Sequence, residues 1–172
     1  MKKITGIIFA IILSVTLTTV CFARLESQNV EISFKVGDST LIVNSQELTV
    51  ETPYVVGEGV TLVPVRVIAE AFGAKVDWDG TDKMVTLSTE DKIIRLWIGK
   101  DTASVDGKEV TLLSAPQLTN SVTMVPLRFI SESFGADVSY DDETRAIHGT
   151  AVDVDVSYFA SQILSHGALT AR

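Results

Sequence analysis

Arg66 and Glu70 stand four residues apart, and Arg128 and Glu132 repeat them 62 positions further along the chain. Either glutamate is a candidate general acid, and an arginine on its own can grip a carboxylate or a glycan. Each pair is followed by an aromatic next to an acid, Trp78 before Asp79 and Tyr140 before Asp141. An exposed ring of that kind is suited to stacking on a sugar face. Catalysis by Glu70, Glu132 or Asp79 and sugar binding by Trp78 and Tyr140 are therefore the two chemistries to weigh.

Plainer roles compete with both. A first-turn arginine faces the positive end of the helix dipole and needs a compensating partner. Glu70 supplies one for Arg66 and Glu132 one for Arg128, although an exposed i,i+4 pair contributes only about 0.3–0.5 kcal/mol. A guanidinium that also reaches a strand carbonyl would tie helix to sheet. Recurrence of the same pair favours this structural role over ligand binding, and for Trp78 and Tyr140 cross-strand packing is favoured over stacking. The stretch DWDGTD (77–82) is rich in oxygen, but Gly80 is its fourth residue and the second copy reads SYDDET, so calcium-loop spacing is kept in neither. Asp and Gly at such positions are ordinary turn formers. His148 and His166 belong to no spaced ligand cluster, and Cys21 is the only cysteine. Neither a metal nor any other cofactor is expected, and no catalytic residue is assigned.

The elements that position these residues follow from local pattern. VPVRVIAEAFGAKVDWD (63–79) and VPLRFISESFGADVSYD (125–141) are identical at ten positions, and FKVGDSTLIVNSQELTV (34–50) aligns with LWIGKDTASVDGKEVTL (96–112) at the same offset. A fixed period of this length marks a duplicated module, with units at 30–88 and 92–150. After Pro64 the apolar residues Val65, Ile68, Ala69 and Phe72 lie on one helical face, and after Pro126 Leu127, Ile130, Ser131 and Phe134 do the same. Proline suits a first helical position, and Gly73 and Gly135 suit a left-handed helix end. Asn44-Ser45 and Asp106-Gly107 mark tight hairpins. The expected fold is α+β: two duplicated units of short antiparallel strands with one short helix each, packed as one compact body. The second unit ends in Ala146-Ile147-His148-Gly149, which leaves its final strand in doubt; 151–172 has no counterpart, with an edge-strand pattern at Val152, Val154 and Val156 and a short helix at 158–164.

Residues 1–23 begin with Lys2 and Lys3, continue uncharged and end at Cys21-Phe22-Ala23, the pattern of a signal peptide cleaved near Ala23, with a retained membrane anchor as the alternative. Without them the chain has 12 basic and 22 acidic residues, a net charge of −10, and no cysteine. A secreted or envelope-associated protein stabilised by its core rather than by disulfides is expected. Nucleic acid is excluded as a partner, because phosphate binding needs clustered Lys and Arg.

The doubled Val-Pro-x-Arg (63–66 and 125–128), the Phe72-Gly73-Ala74 and Phe134-Gly135-Ala136 stops, and the Trp78-Asp79 and Tyr140-Asp141 ends resemble the copper amine oxidase N-terminal, or stalk, domain. That resemblance implies a non-catalytic α+β module of exported bacterial proteins, distinct from any copper site and suspected of wall or glycan contact. On it, Pro64, Arg66, Glu70, Phe72 and Gly73, with Pro126, Arg128, Glu132, Phe134 and Gly135, are structural motif residues. Wall glycan, an envelope protein or a second copy of the chain are the expected partners. A small glycan-acting hydrolase and a self-associating structural protein are the alternatives.

Overall fold

Two strands form the centre of the molecule, β5 (Val60–Pro64) and β12 (Val122–Pro126), antiparallel with Val63 opposite Val125. The computed structural model describes residues 28–141 and 143–154; the expected signal peptide and residues 155–172, with the helix expected there, lie outside them. Leu62, Val63, Met124 and Val125 have no exposed surface, as expected of short apolar runs covered on both faces. Val63 and Val125 are themselves 62 positions apart, and the register is symmetric about them, with Pro64 opposite Met124 and Leu62 opposite Pro126.

Outside this pair lie β4 (Tyr54–Val56), beside β5, and β11 (Gln117–Thr119), beside β12. A flat four-stranded sheet would hold its outer strands about 14 Å apart. Here the Tyr54 hydroxyl donates to Gln117 Oε1 at 3.0 Å and lies 3.0 Å from Thr119 Oγ1, while Asn120 Nδ2 donates to Glu51 Oε1 at 3.2 Å. The sheet therefore curls until side chains of its two edges meet.

Two five-stranded sheets complete the fold. One is continuous in sequence: β6 (Lys75–Asp79), β7 (Met84–Ser88), β8 (Ile93–Trp97), β9 (Thr102–Val105) and β10 (Lys108–Thr111), each paired with the next. The other joins the two ends of the described chain in the order β13 (Asp137–Asp141), β14 (Ala146–Val154), β1 (Gln28–Lys35), β2 (Thr40–Val43) and β3 (Gln46–Thr49). Alternation in β1 buries Val30, Ile32 and Phe34 and leaves Glu31 and Lys35 outside. The hairpins expected at Asn44-Ser45 and Asp106-Gly107 form, with positive φ at all four residues. In each, the turn side chain also braces a neighbouring strand: Asn44 Oδ1 accepts from the Glu31 amide at 2.9 Å and Asp106 Oδ1 from the Ile93 amide at 2.8 Å.

This arrangement corrects the expected fold class. Strand dominates, in three antiparallel sheets, and the helices among the described residues are the two seven-residue segments α1 (Val65–Ala71) and α2 (Leu127–Ser133). The fold is mainly β. The stretches 30–88 and 92–150 share their sheets, each of which takes strands from both. The physical reason lies in the connections. Thr89 to Lys92 is a tight turn, closed by the Thr89 amide on the Lys92 carbonyl at 2.9 Å. A short connection makes consecutive strands antiparallel neighbours, so β7 pairs with β8 across the expected boundary. β1, with no strand before it among the described residues, pairs instead with β14.

The doubtful final strand is also settled. β14 spans nine residues, lies between β13 and β1, and buries Ile147 and Ala151. It is paired on both sides from Ala146 to Thr150 and with β1 alone from Ala151 to Val154, the stretch where an edge pattern is expected from Val152 and Val154. The helices pack on the central strands, α1 burying Val67, Ile68 and Ala71 and α2 burying Leu127 and Ile130. Their C-terminal ends meet through Phe72 and Phe134, ring centroids 6.0 Å apart and planes tilted by 44°.

Candidate functional site

Each helix begins where a central strand ends. Pro64 (φ −61°, ψ 115°) and Pro126 (φ −60°, ψ 120°) are still extended, so they close β5 and β12 and act as N-caps, one position before the first helical residue expected for them. At the other end Gly73 (φ 78°) and Gly135 (φ 67°) are left-handed. The Gly73 amide donates to the Glu70 carbonyl at 3.0 Å and the Ala74 amide to the Ala69 carbonyl at 2.9 Å. Gly135 and Ala136 bond Glu132 and Ser131 in the same way at 3.2 and 2.8 Å. This closure satisfies the last helical carbonyls and turns the chain into β6 and β13, which carry Trp78 and Tyr140.

The two Arg/Glu pairs, alike in sequence, sit in unlike surroundings. Arg66 Nη1 donates to Glu70 Oε1 at 3.3 Å and to the Val76 carbonyl of β6 at 3.4 Å, tying helix to strand. The Glu70 side chain is 3% exposed against 41% for Arg66, and Glu70 Oε2 is buried without a hydrogen-bond partner. Burial pushes the Glu70 carboxyl above the ordinary carboxylate range, and the Arg66 charge and hydrogen bond offset part of that rise. Arg128 and Glu132 both face solvent, and no ion pair joins them. In α2 the buried polar group is Ser131, whose hydroxyl donates to the Leu127 and Arg128 carbonyls at 3.1 and 3.0 Å.

Trp78 and Tyr140 are 43% and 51% exposed. Each borders a groove beside its own helix. The groove at α1, about 410 Å³, is bordered by Arg66 and Trp78 with Leu118 and Thr123 from the opposite half. The groove at α2, about 730 Å³, is bordered by Arg128, Glu132 and Tyr140 with Val55, Val60 and Thr61. Val55, Leu113 and Val138 of this second groove carry no local sequence signal, because loop and strand residues far apart in the chain assemble it.

Asp79 and Asp141 serve the turns that follow them. Asp79 Oδ1 accepts from the Thr81 and Asp82 amides at 2.8 and 3.3 Å, and Asp141 Oδ1 from the Glu143 and Thr144 amides at 2.9 and 3.2 Å. Hydrogen bonds from Thr144 and Glu143 hold the Asp141 carboxyl below its usual range. Among the described residues no group of three or more His, Cys, Asp or Glu side chains is placed to hold a metal. His148 lies exposed on β14, and His166 is outside the described residues.

Curled and meandering antiparallel sheets, two helices begun by Pro-x-Arg, and a surface groove beside each define a small β module that presents surfaces. The chain belongs to the copper amine oxidase N-terminal domain family, whose model matches residues 49–148, more than half of its length. It is also similar to a protease inhibitor of Brevibacillus choshinensis, 28% identical over 112 residues, or 65% of this chain. The chain spans only 34% of that relative's length.

Proposed function

We propose that the protein is an exported, non-catalytic stalk-type module that binds or spaces a component of the cell envelope through its two grooves. The observation that carries this reading is the exposure of Trp78 and Tyr140 at equivalent groove rims, each beside the arginine of a Pro-x-Arg helix. Large apolar side chains held in solvent beside a cleft mark recognition surfaces more often than catalytic ones. Two of the three acids on which a hydrolase would depend are otherwise engaged, Glu70 sealed against Arg66 and Asp79 accepting two turn amides, while Glu132 stands in solvent. The leader pattern at 1–23 supports export.

A protein partner is favoured by a separate observation, the match to a relative named as a protease inhibitor. On that reading the grooves grip a polypeptide rather than glycan. Sedimentation of residues 24–172 with purified cell wall tests the envelope reading. Saturable retention that falls in a Trp78→Ala/Tyr140→Ala double variant is expected, and no retention above a bovine albumin control overturns it. Inhibition of a panel of secreted proteases by the same chain tests the alternative.

A further inference from the structure

We propose that the groove between α2, β13 and β4 receives an extended segment of a partner protein in which basic and apolar residues alternate, laid against β13 as an added strand. The inference rests on the reading of the chain as a binding module and names the groove and the ligand chemistry.

The backbone provides the first support. β13 is the outer strand of its sheet, all five of its residues are exposed, and it contains neither proline nor lysine, the residues that commonly protect an edge. Its outward N–H and C=O groups are available to an incoming strand, whose main chain supplies affinity while alternate side chains supply specificity. Val138 and Tyr140, two residues apart, project to the same side of the strand. They are 38% and 51% exposed and face a groove that also shows Val55 at 50% and Leu113 at 70%. An extended chain on β13 would direct every second side chain onto this apolar surface.

Charge selects the occupant. Glu58, Glu132 and Asp137 border the groove against the single cation Arg128. Asp137 and Asp141 occupy the two ends of β13. A second copy added antiparallel on the same edge would set Asp137 against Asp141 twice, and like charges directly opposite are destabilising. Self-pairing and acidic segments are thereby disfavoured, and lysine or arginine alternating with apolar residues is matched. The groove at α1 lacks this character, having no acidic side chain on its border.

The test is a titration of residues 24–172 with a labelled peptide of alternating Lys and Val, followed by fluorescence anisotropy and by amide shifts. Saturable binding that weakens with salt and moves the Val138 and Tyr140 amides is expected. A peptide of alternating Glu and Val, and the Lys-Val peptide with a central proline, should each bind at least about tenfold more weakly. The exposed-site variant E132K/D137K should lose about tenfold or more, and R128E, which adds acidity at the same border, should bind more tightly. Thermal melts establish that both variants are folded. Absence of saturable binding, or equal affinity in E132K/D137K and the parent, overturns the proposal. So does a result in which soluble wall glycan moves the Val138 and Tyr140 amides while the Lys-Val peptide moves neither. Retention on cell wall without peptide binding removes this inference alone; peptide binding without retention supports it and removes the wall reading.

Discussion

Arg66 Nη1 lies 3.3 Å from Glu70 Oε1, and the carboxylate end of that pair is almost wholly enclosed by α1 and the strands beneath it. The equivalent residues Arg128 and Glu132 stand apart in solvent. A pair that is half sealed is a different object from an exposed one. Removing the cation strands a buried acid, whereas removing an exposed cation changes little.

Arg66→Met is therefore expected to destabilise the protein by about 1–3 kcal/mol, the cost of leaving a buried polar group without its partner. Arg128→Met should stay within about 0.5 kcal/mol of the parent. Urea unfolding of the two variants side by side measures both. Equal effects would mean that the difference in burial between Glu70 and Glu132 carries no energetic weight.

Acidity provides a second handle. Burial lifts the folded-state Glu70 carboxyl above its ordinary value of 4.5, so between the unfolded and folded values the native chain binds more protons than the unfolded one. Stability contributed by this group therefore falls as pH rises through that window, since the slope follows the difference in bound protons. Glu70→Gln removes the dependence, so its stability relative to the parent should improve from pH 4.5 toward neutrality. Asp141 acts in the opposite sense: its lowered value favours the native state above the ordinary value of 3.8, and the benefit is lost on further acidification. Urea midpoints of the parent and the Glu70→Gln variant across this range give the comparison.

Gly135 isolates a backbone effect. Its φ of +67° is left-handed, yet a Cβ built there meets no atom within 4 Å. Gly135→Ala should cost about 1–2 kcal/mol through conformation alone. A loss much larger than this in chemical denaturation would point to a steric clash that the open surroundings do not contain.

The sharing of strands predicts the behaviour of fragments. A chain of residues 24–88 retains the first Pro-x-Arg helix but lacks β8 beside β7, β14 beside β1 and β12 beside β5. It is expected to remain unfolded by amide-shift dispersion, whereas residues 24–154 should fold. A well-dispersed spectrum from 24–88 would show that the interleaved sheets are not needed for stability.

Much of the local structure was legible in the amino-acid order. The Val65, Ile68, Ala69, Phe72 spacing located α1, Gly73 located its end, and Asn44-Ser45 and Asp106-Gly107 located two hairpins. Pro64 was misplaced by one position, because a proline that ends a strand and one that opens a helix share the same φ. The fold class was less legible, since two conspicuous helix motifs outweighed many three- to five-residue strands with weak individual patterns. β14 was obscured for a related reason: Gly149 and His148 interrupt an apolar run, and the strand is held by β1 and β13 on either side.

By itself the sequence determined the elements and their caps, because side-chain periodicity and φ preference act within a few residues. It also determined the spacing of 62 and the acidic, cysteine-poor character of the chain. Only the tertiary structure decided that β7 joins β8 and β1 joins β14, that Glu70 is sealed while Glu132 is not, and that Val55, Leu113, Val138 and Tyr140 meet in one groove. Those outcomes depend on contacts between residues far apart in the chain, where two similar local motifs can be given different neighbours.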